Sequence, residues 1–187
     1  MNKWDIQDWK VKPHTFKFRT GDTDEKGGCT FIGGSWVDKT TDELFKDKRI
    51  VMFSLPGAFT PTCSGEELPS YDRNYNKFID NGIDDVYCVS VNDAFVMNAW
   101  GGSMDPKIEK VFLCPDGDGK FTEQMGMLID KPANKFGKRS WRYSAYVDNG
   151  EIKKMFVEPG KNDKSEDEDP HDISSADKML KYLKDNK

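Results

Sequence analysis

A strand pattern, a proline-containing loop and a helical pattern follow one another between residues 50 and 79, and this succession constrains the fold most strongly. Residues 50–55 form an apolar run with one serine, bounded by charge on one side and Pro-Gly on the other, which predicts a buried strand. Beyond Cys63, apolar residues recur at steps of three and four and predict one face of a helix: Leu68, Tyr71, Tyr75, Phe78 and Ile79. The strand therefore delivers Cys63 to the first turn of a helix, where free backbone N–H groups and the helix dipole favour a thiolate over a thiol.

Strand and helix patterns alternate along most of the chain. A capped short helix is expected at 40–46, just before the strand at 50–55. The later elements are predicted as a strand at 84–91, a helix at 93–100, a strand at 110–114, a turn at 116–119 and a short helix at 122–128. This alternation indicates an α/β fold, with a mainly parallel sheet covered by helices on both faces.

Antiparallel strands are predicted at both ends of this pattern, which makes the expected sheet mixed. Residues 11–38 combine aromatic residues with glycines and indicate short strands or a hairpin at a sheet edge. Residues 141–147 and 151–157 flank Asn149-Gly150, a pair that supplies the positive φ angles of a tight hairpin turn. The acidic stretch 160–172 predicts a solvated loop, and residues 174–177 predict the cap of a closing helix.

Length and charge narrow the class of protein. The 187 residues suit a single domain spanning 1–187, and the net charge of -5 gives no general electrostatic reason to bind nucleic acid or an anionic membrane. No apolar run is long enough to span a bilayer, and the polar amino terminus has no signal-peptide h-region. We therefore expect a soluble, cytoplasmic protein.

The other cysteines do not resemble Cys63. The chain has four widely spaced cysteines and no C-x-x-C pair, as in proteins of a reducing compartment. Cys88 lies within a strand pattern and is expected in the core, as is Cys114. Cys29 follows two glycines and is expected to be more exposed, with no neighbour that marks it as activated.

Metal sites are not expected. The two histidines, His14 and His171, fall in predicted loop or terminal segments, so a structural zinc site of Cys and His at close spacing is hard to assemble. Asp116 and Asp118 lack the residue order and closing glutamate of a calcium loop, so a polar turn is the better interpretation.

The residues around Cys63 exclude some thiol chemistries. A tyrosine-phosphatase loop needs an arginine six residues after its cysteine, where this chain has Pro69. A papain-like protease needs a histidine base, and neither histidine lies in a well-formed predicted element. A thiolate activated by N–H donors, a hydroxyl and a cation remains, and this arrangement suits the reduction of a peroxide.

Several motifs together resemble those of the peroxiredoxins. Residues 56–64, PGAFTPTCS, match the P-x-x-x-T-x-x-C signature of this family, and the particular residues resemble those of its five-type (type II) subfamily. Further matches are VSVNDAFVM at 89–97, GKRSWRYS at 137–144 and VEP at 157–159. The similarity extends from about residue 16 to residue 183, and is greatest to the peroxiredoxin half of bacterial peroxiredoxin–glutaredoxin fusions.

The resemblance implies a thioredoxin-like fold and a role for four residues, with no cofactor. Cys63 would be the peroxidatic nucleophile, and Thr60 would offer its hydroxyl to the thiolate and the peroxide. Pro56 would shield the pocket from water, while Arg142 would stabilise the thiolate and polarise the O–O bond.

Charged neighbours of these residues raise two further expectations. Arg139 is the rival cation, but the family match and the strand alternation with Ser144 and Tyr146 favour Arg142. Glu66 and Glu67 stand in the first helical turn and would oppose thiolate formation if they faced Cys63, so both are expected to point outward.

The resemblance also implies partners. Some five-type members carry a resolving cysteine after the Glu-Pro pair, but residues 159–187 contain none, so one-Cys behaviour is expected. No glutaredoxin domain follows in the sequence, so the reductant would be another molecule: glutathione with glutaredoxin first, thioredoxin second. The substrates would be hydrogen peroxide and alkyl hydroperoxides, and the protein would be a homodimer, with Phe95 and Trp100 either at the interface or in the core. The alternative is a peroxide sensor or a redox-regulated, chaperone-like binding protein, which would not turn over.

Overall fold

The computed structural model of the chain describes residues 9–20, 34–162 and 169–186. The strands are β1 (Thr15–Thr20), β2 (Ser35–Thr40), β3 (Arg49–Ser54), β4 (Asp85–Ser90), β5 (Phe112–Pro115), β6 (Leu128–Lys131), β7 (Gly137–Ser140), β8 (Tyr143–Asp148) and β9 (Glu151–Val157). The helices are α1 (Thr41–Phe45), α2 (Leu68–Asp80), α3 (Ala94–Ser103), α4 (Lys120–Gln124) and α5 (Ala176–Asp185). A π-helical turn, Cys63–Glu67, leads directly into α2.

A five-stranded mixed sheet forms the centre of the fold, in the order β5-β4-β3-β8-β9. Strand β3 pairs in parallel with β4 and antiparallel with β8, so the strand that leads to Cys63 is the middle one. The turn between β8 and β9 has positive φ at Asn149 (48°) and Gly150 (75°), as the Asn-Gly pair predicts. The predicted α/β fold, a mixed central sheet flanked by helices, is confirmed.

The two faces of the sheet bury two separate apolar layers, because successive side chains of a strand point to opposite faces. Ile50 and Met52 pack into one layer, with the β1–β2 hairpin and α4. Val51 and Phe53 pack into the other, and Phe53 stacks on Tyr71 of α2 with ring centroids 3.9 Å apart. Cys63 belongs to this second layer, so the nucleophile of the sequence prediction lies at the edge of an apolar core.

Two predictions about local structure are wrong. Strands β1 and β2 form a two-stranded sheet of their own instead of an edge of the central sheet, and residues 21–33 of the predicted hairpin lie outside the described residues. Ile79, predicted on the buried face of α2, is 39% exposed. Trp100 was expected either at an interface or in the core, and its side chain is fully buried in the core.

The predicted helix at 122–128 is shorter and begins earlier, at Lys120–Gln124. The Asp116 carboxylate accepts hydrogen bonds from the N–H groups of Phe121 (3.1 Å) and Thr122 (2.8 Å), which fixes the first turn of α4. Gly126, at φ 67°, reverses the chain, and Leu128 starts β6, which pairs with β7. This hairpin was not predicted, since four-residue strands give too little alternation to detect.

Candidate active site

The loop between β3 and the π-helical turn is held by side chains from the neighbouring strand. Pro56 is buried at its start, and the N–H of Ala58 donates to Asn92 Oδ1 at 2.9 Å. The same Asn92 oxygen accepts from Ser90 Oγ at 2.7 Å, so Asn92 joins the loop to the end of β4. Sequence reasoning found Asn92 only as part of a motif. The parallel pairing of β3 with β4, which places their carboxyl ends side by side, explains its position.

Thr60 closes the loop onto the turn that carries the cysteine. Its hydroxyl donates to the carbonyl oxygen of Gly57 at 2.8 Å, and its own carbonyl accepts from the N–H of Ser64 at 3.0 Å. The intervening Phe59 has φ 62° and is 57% exposed. The Thr60 hydroxyl is thus close in sequence to Cys63, but in this conformation it is engaged with the loop backbone.

Cys63 and Arg142 meet although they are 79 positions apart in the sequence. The Cys63 Sγ lies 3.6 Å from Arg142 Nη2 and 3.7 Å from Nη1, within hydrogen-bond range for sulfur. Both side chains are almost completely buried. Strand β8 begins at Tyr143 and pairs with β3, so Arg142 reaches the end of β3 where Cys63 follows. A cation in a dry pocket favours a thiolate much more than a cation in water does.

Arg139, the rival cation, contacts the loop. Its Nη1 donates to the carbonyl of Val91 at 3.3 Å, and a Cβ built on Gly57 would lie 3.0 Å from the same nitrogen. Burial lowers the pKa of Arg139, while the negative charge of an ionised Cys63 would act in the opposite direction. Arg139 therefore lies within electrostatic range of the sulfur, whereas Arg142 is in contact with it.

The expectation that Glu67 points outward is wrong. Its side chain is fully buried and forms an ion pair with Arg142 Nη1. The turn Cys63–Glu67 is π-helical, with the N–H of Leu68 donating to the carbonyl of Cys63, and a buried guanidinium needs a buried counter-charge. Glu66, by contrast, has a side chain 73% exposed, as predicted.

A second carboxylate, Asp169, also contacts Arg142, through Nη2. The prediction of a solvated loop at 160–172 is wrong for this end, since the side chain of Asp169 is 31% exposed and that of His171 only 12%. Residues 163–168 of that loop lie outside the described residues. His171 Nδ1 lies 3.5 Å from Glu66 Oε2, so the segment also contacts the π-helical turn.

Glu158 fixes the segment that carries Asp169. It is fully buried, and its Oε1 accepts from the N–H of Asp172 at 2.8 Å and from both the N–H (2.9 Å) and the hydroxyl (2.8 Å) of Ser174. The N–H of Glu158 in turn donates to the carbonyl of Arg142 at 3.1 Å. This anchoring role of Glu158 was not predicted. The signal in the sequence was a glutamate directly after an apolar strand and before a proline.

The remaining cysteines of the described residues do not share this environment. Cys63, Cys88 and Cys114 are all free and buried. Burial raises the pKa of the Cys88 thiol, and it raises that of Cys114 as well, because an apolar surrounding disfavours the charged form. Their predicted core positions are confirmed, and Cys29 lies outside the described residues.

The described residues contain neither a candidate metal site nor a helix that could span a membrane. No group of three or more His, Cys, Asp or Glu side chains in residues 9–20, 34–162 and 169–186 could hold a metal ion. None of the helices described there is long and apolar enough to cross a membrane.

A buried cysteine held against a guanidinium, in the turn that follows the central strand of an α/β sheet, is an arrangement typical of thiol-based redox proteins. Comparison with known proteins gives the family. Residues 35–180 match the Redoxin family. The hybrid peroxiredoxin hyPrx5 of Haemophilus influenzae is 51% identical over 174 residues, which are 93% of this chain and 64% of that protein. The present chain thus spans less than two thirds of hyPrx5.

Two solved peroxiredoxin structures support the same family assignment. The antioxidant protein of Plasmodium falciparum, a 1-Cys peroxiredoxin, has a TM-score of 0.85 and 36% identity, with 96% of this chain and 100% of that chain covered. Reduced Prx3 of Vibrio vulnificus in complex with H₂O₂ has a TM-score of 0.72 and 37% identity, with 81% and 87% covered. The chain belongs to the redoxin family and, within it, to the peroxiredoxins, which are thiol-dependent peroxidases. The resemblance inferred from the motifs is confirmed.

Proposed function

We propose that Cys63 is the peroxidatic nucleophile and that its substrates are hydrogen peroxide and alkyl hydroperoxides. The observation that carries this proposal is the contact of both Arg142 Nη atoms with a fully buried sulfur. The Cys63 thiolate attacks one peroxide oxygen, the O–O bond breaks, and the leaving hydroxide or alkoxide takes up a proton to leave as water or alcohol. The sulfur is oxidised to a sulfenic acid, and the peroxide is reduced.

Arg142, Thr60 and Pro56 assist this step in the proposal. The guanidinium stabilises the thiolate and the charge that develops on the departing oxygen. The Thr60 hydroxyl, now bonded to Gly57, turns to the peroxide when it enters and aligns it for attack. Pro56 is buried at the start of the loop that leads to Cys63, and it keeps water out of the pocket.

An external thiol completes the cycle. Cys88 and Cys114 are buried strand residues, and no cysteine lies between residues 159 and 187. One thiol condenses with the sulfenic acid to give a mixed disulfide and water, and a second thiol releases Cys63. The Plasmodium relative named as a 1-Cys peroxiredoxin supports this route. We propose glutathione with glutaredoxin as the first reductant and thioredoxin as the second, for a cytoplasmic homodimer whose residues 1–187 form one domain.

A peroxidase assay tests the proposal and separates it from a sensor. Wild type should consume peroxide over many turnovers with glutathione and glutaredoxin, and Cys63→Ser should show no turnover above background while keeping its fold. Cys88→Ser is the matched control and should retain activity. Consumption of about one equivalent of peroxide without turnover, with either reductant, would instead indicate the sensor or binding protein. Wild-type rates in Cys63→Ser would overturn the assignment of the nucleophile.

A further inference from the structure

We propose that Asp169 is a positioning residue that restrains Cys63, because its carboxylate holds the same guanidinium that the thiolate and the peroxide need. A guanidinium has four N–H bonds on its two Nη atoms. In Arg142 these nitrogens contact the Cys63 sulfur twice, the Glu67 carboxylate once and the Asp169 carboxylate once. A peroxide that approaches the sulfur therefore has to share an Nη donor or displace one of these partners.

The charges around the sulfur favour a restraining role. Arg142 contributes one positive charge, while Glu67 and Asp169 contribute two negative charges in contact with it. Arg139 is a further charged group that acts on the sulfur, and its Nη1 donates to the carbonyl of Val91. Ionisation of Cys63 adds a further negative charge beside two carboxylates, so each carboxylate opposes the thiolate that the guanidinium supports.

Asp169 is the partner that can be released. The Glu67 side chain is fully buried at the start of α2, so it cannot leave Arg142 without unfolding the π-helical turn. The Asp169 side chain is partly exposed, at 31%, and water can replace Arg142 as its partner. The chain that follows Asp169 stays anchored through the hydrogen bonds of Glu158 to Asp172 and Ser174. Asp169 can thus leave Arg142 while its segment remains docked.

The position of His171 supports a docked segment. The imidazole is 12% exposed and lies 3.5 Å from the exposed carboxylate of Glu66, on the same π-helical turn that carries Cys63. This contact and the Asp169–Arg142 ion pair hold one short segment against the cysteine from two sides. The segment therefore contributes to the resting charge of the site, and Asp169 is its carboxylate in contact with Arg142.

The test compares Asp169→Asn with Asp169→Glu and Asp172→Asn. Asparagine keeps the size and an oxygen acceptor but removes the charge, and glutamate keeps the charge. Asp172 is the matched control, since it lies in the same segment with a side chain 77% exposed. The readout is the rate of alkylation of Cys63 by iodoacetamide as a function of pH, located by mass spectrometry, with thermal unfolding as the check on folding.

Asp169 and Cys63 contact the same nitrogen, so their charges lie within about 6 Å, where a like charge shifts a titration by about one unit or more. The midpoint pH of Cys63 alkylation should fall by about one unit in Asp169→Asn and stay near the wild-type value in Asp169→Glu and Asp172→Asn. At pH values well below both midpoints, peroxide should then react with Asp169→Asn about tenfold faster than with wild type, in proportion to the thiolate fraction. Asp169→Ser should shift the midpoint in the same direction, which keeps the test available if one variant folds poorly.

An unchanged or higher midpoint in both Asp169→Asn and Asp169→Ser would overturn the proposal and make Asp169 a support for Arg142. An equal shift in Asp172→Asn would overturn it too, because the effect would then be general surface charge. The proposal rests on Cys63 as the nucleophile, but alkylation needs no peroxide turnover. A protein without peroxidase activity that shows the expected shift would contradict the proposed function and leave this inference standing.

Discussion

Replacing Arg142 with methionine removes the charge and all the N–H donors beside Cys63 while keeping a long side chain. Arg142 Nη2 lies 3.6 Å from the sulfur, so the change removes the charged group in contact with the reacting atom. Loss of a single donor of this kind commonly lowers a rate by about a hundred- to a thousandfold. We expect the second-order rate constant with hydrogen peroxide to fall by at least about a hundredfold in stopped-flow measurements.

The same change has a structural cost that can be measured separately. The Glu67 side chain is fully buried, and without Arg142 it becomes an uncompensated charge, which costs about 3–5 kcal/mol. Asp169 is partly exposed and adds little to this cost. The thermal midpoint of Arg142→Met should therefore fall by about 6–20 °C. The double variant Arg142→Met, Glu67→Gln removes the stranded charge, so most of the stability should return while the activity stays low.

Arg139→Met is the matched control for this experiment. Arg139 contacts the loop at Val91 instead of the sulfur, so a loss below about tenfold is expected. A larger loss in Arg139→Met than in Arg142→Met would refute the choice of cation. A double variant no more stable than Arg142→Met would refute the account of Glu67 as the buried counter-charge.

Two further predictions concern the loop and the other thiols. Asn92→Ala removes the acceptor of the Ala58 N–H, which should loosen the loop and slow the reaction with peroxide about tenfold. The control is Asn98→Ala, on the exposed face of α3, which should not change the rate. Equal rates in the two variants would contradict a positioning role for Asn92. The triple variant that replaces every cysteine other than Cys63 should still be oxidised at Cys63 and recycled by glutathione, because no intramolecular disulfide is needed in the proposed cycle. Mass spectrometry of oxidised wild type decides the matter, since a stoichiometric disulfide from Cys63 to another cysteine of the same chain would rule out the one-Cys route. The residues replaced in that variant are Cys29→Ser, Cys88→Ala and Cys114→Ala.

Features that depend on neighbouring residues could be predicted from the sequence. The short helix α1 begins at a capping box, in which Thr40 and Glu43 exchange hydrogen bonds within one turn. The β8–β9 hairpin follows from Asn149-Gly150, because only a few residue types adopt positive φ without strain. The strand–loop–helix arrangement around Cys63 also follows from local periodicity, and so does the burial of Cys88.

Which charged side chains surround Cys63 depends on tertiary structure alone. Whether Glu67 points in or out depends on the π-helical turn and on a guanidinium 75 positions away. Asp169 is predicted as part of a solvated acidic run because nothing in its own segment shows that it pairs with Arg142, or that Glu158 accepts a hydrogen bond from Asp172 in the same segment. A buried ion pair gains its energy only when both partners leave water together, so neither partner's sequence neighbourhood can reveal it. The sequence by itself determined where the thiol is presented, and the packing of three distant segments decided which charges surround it.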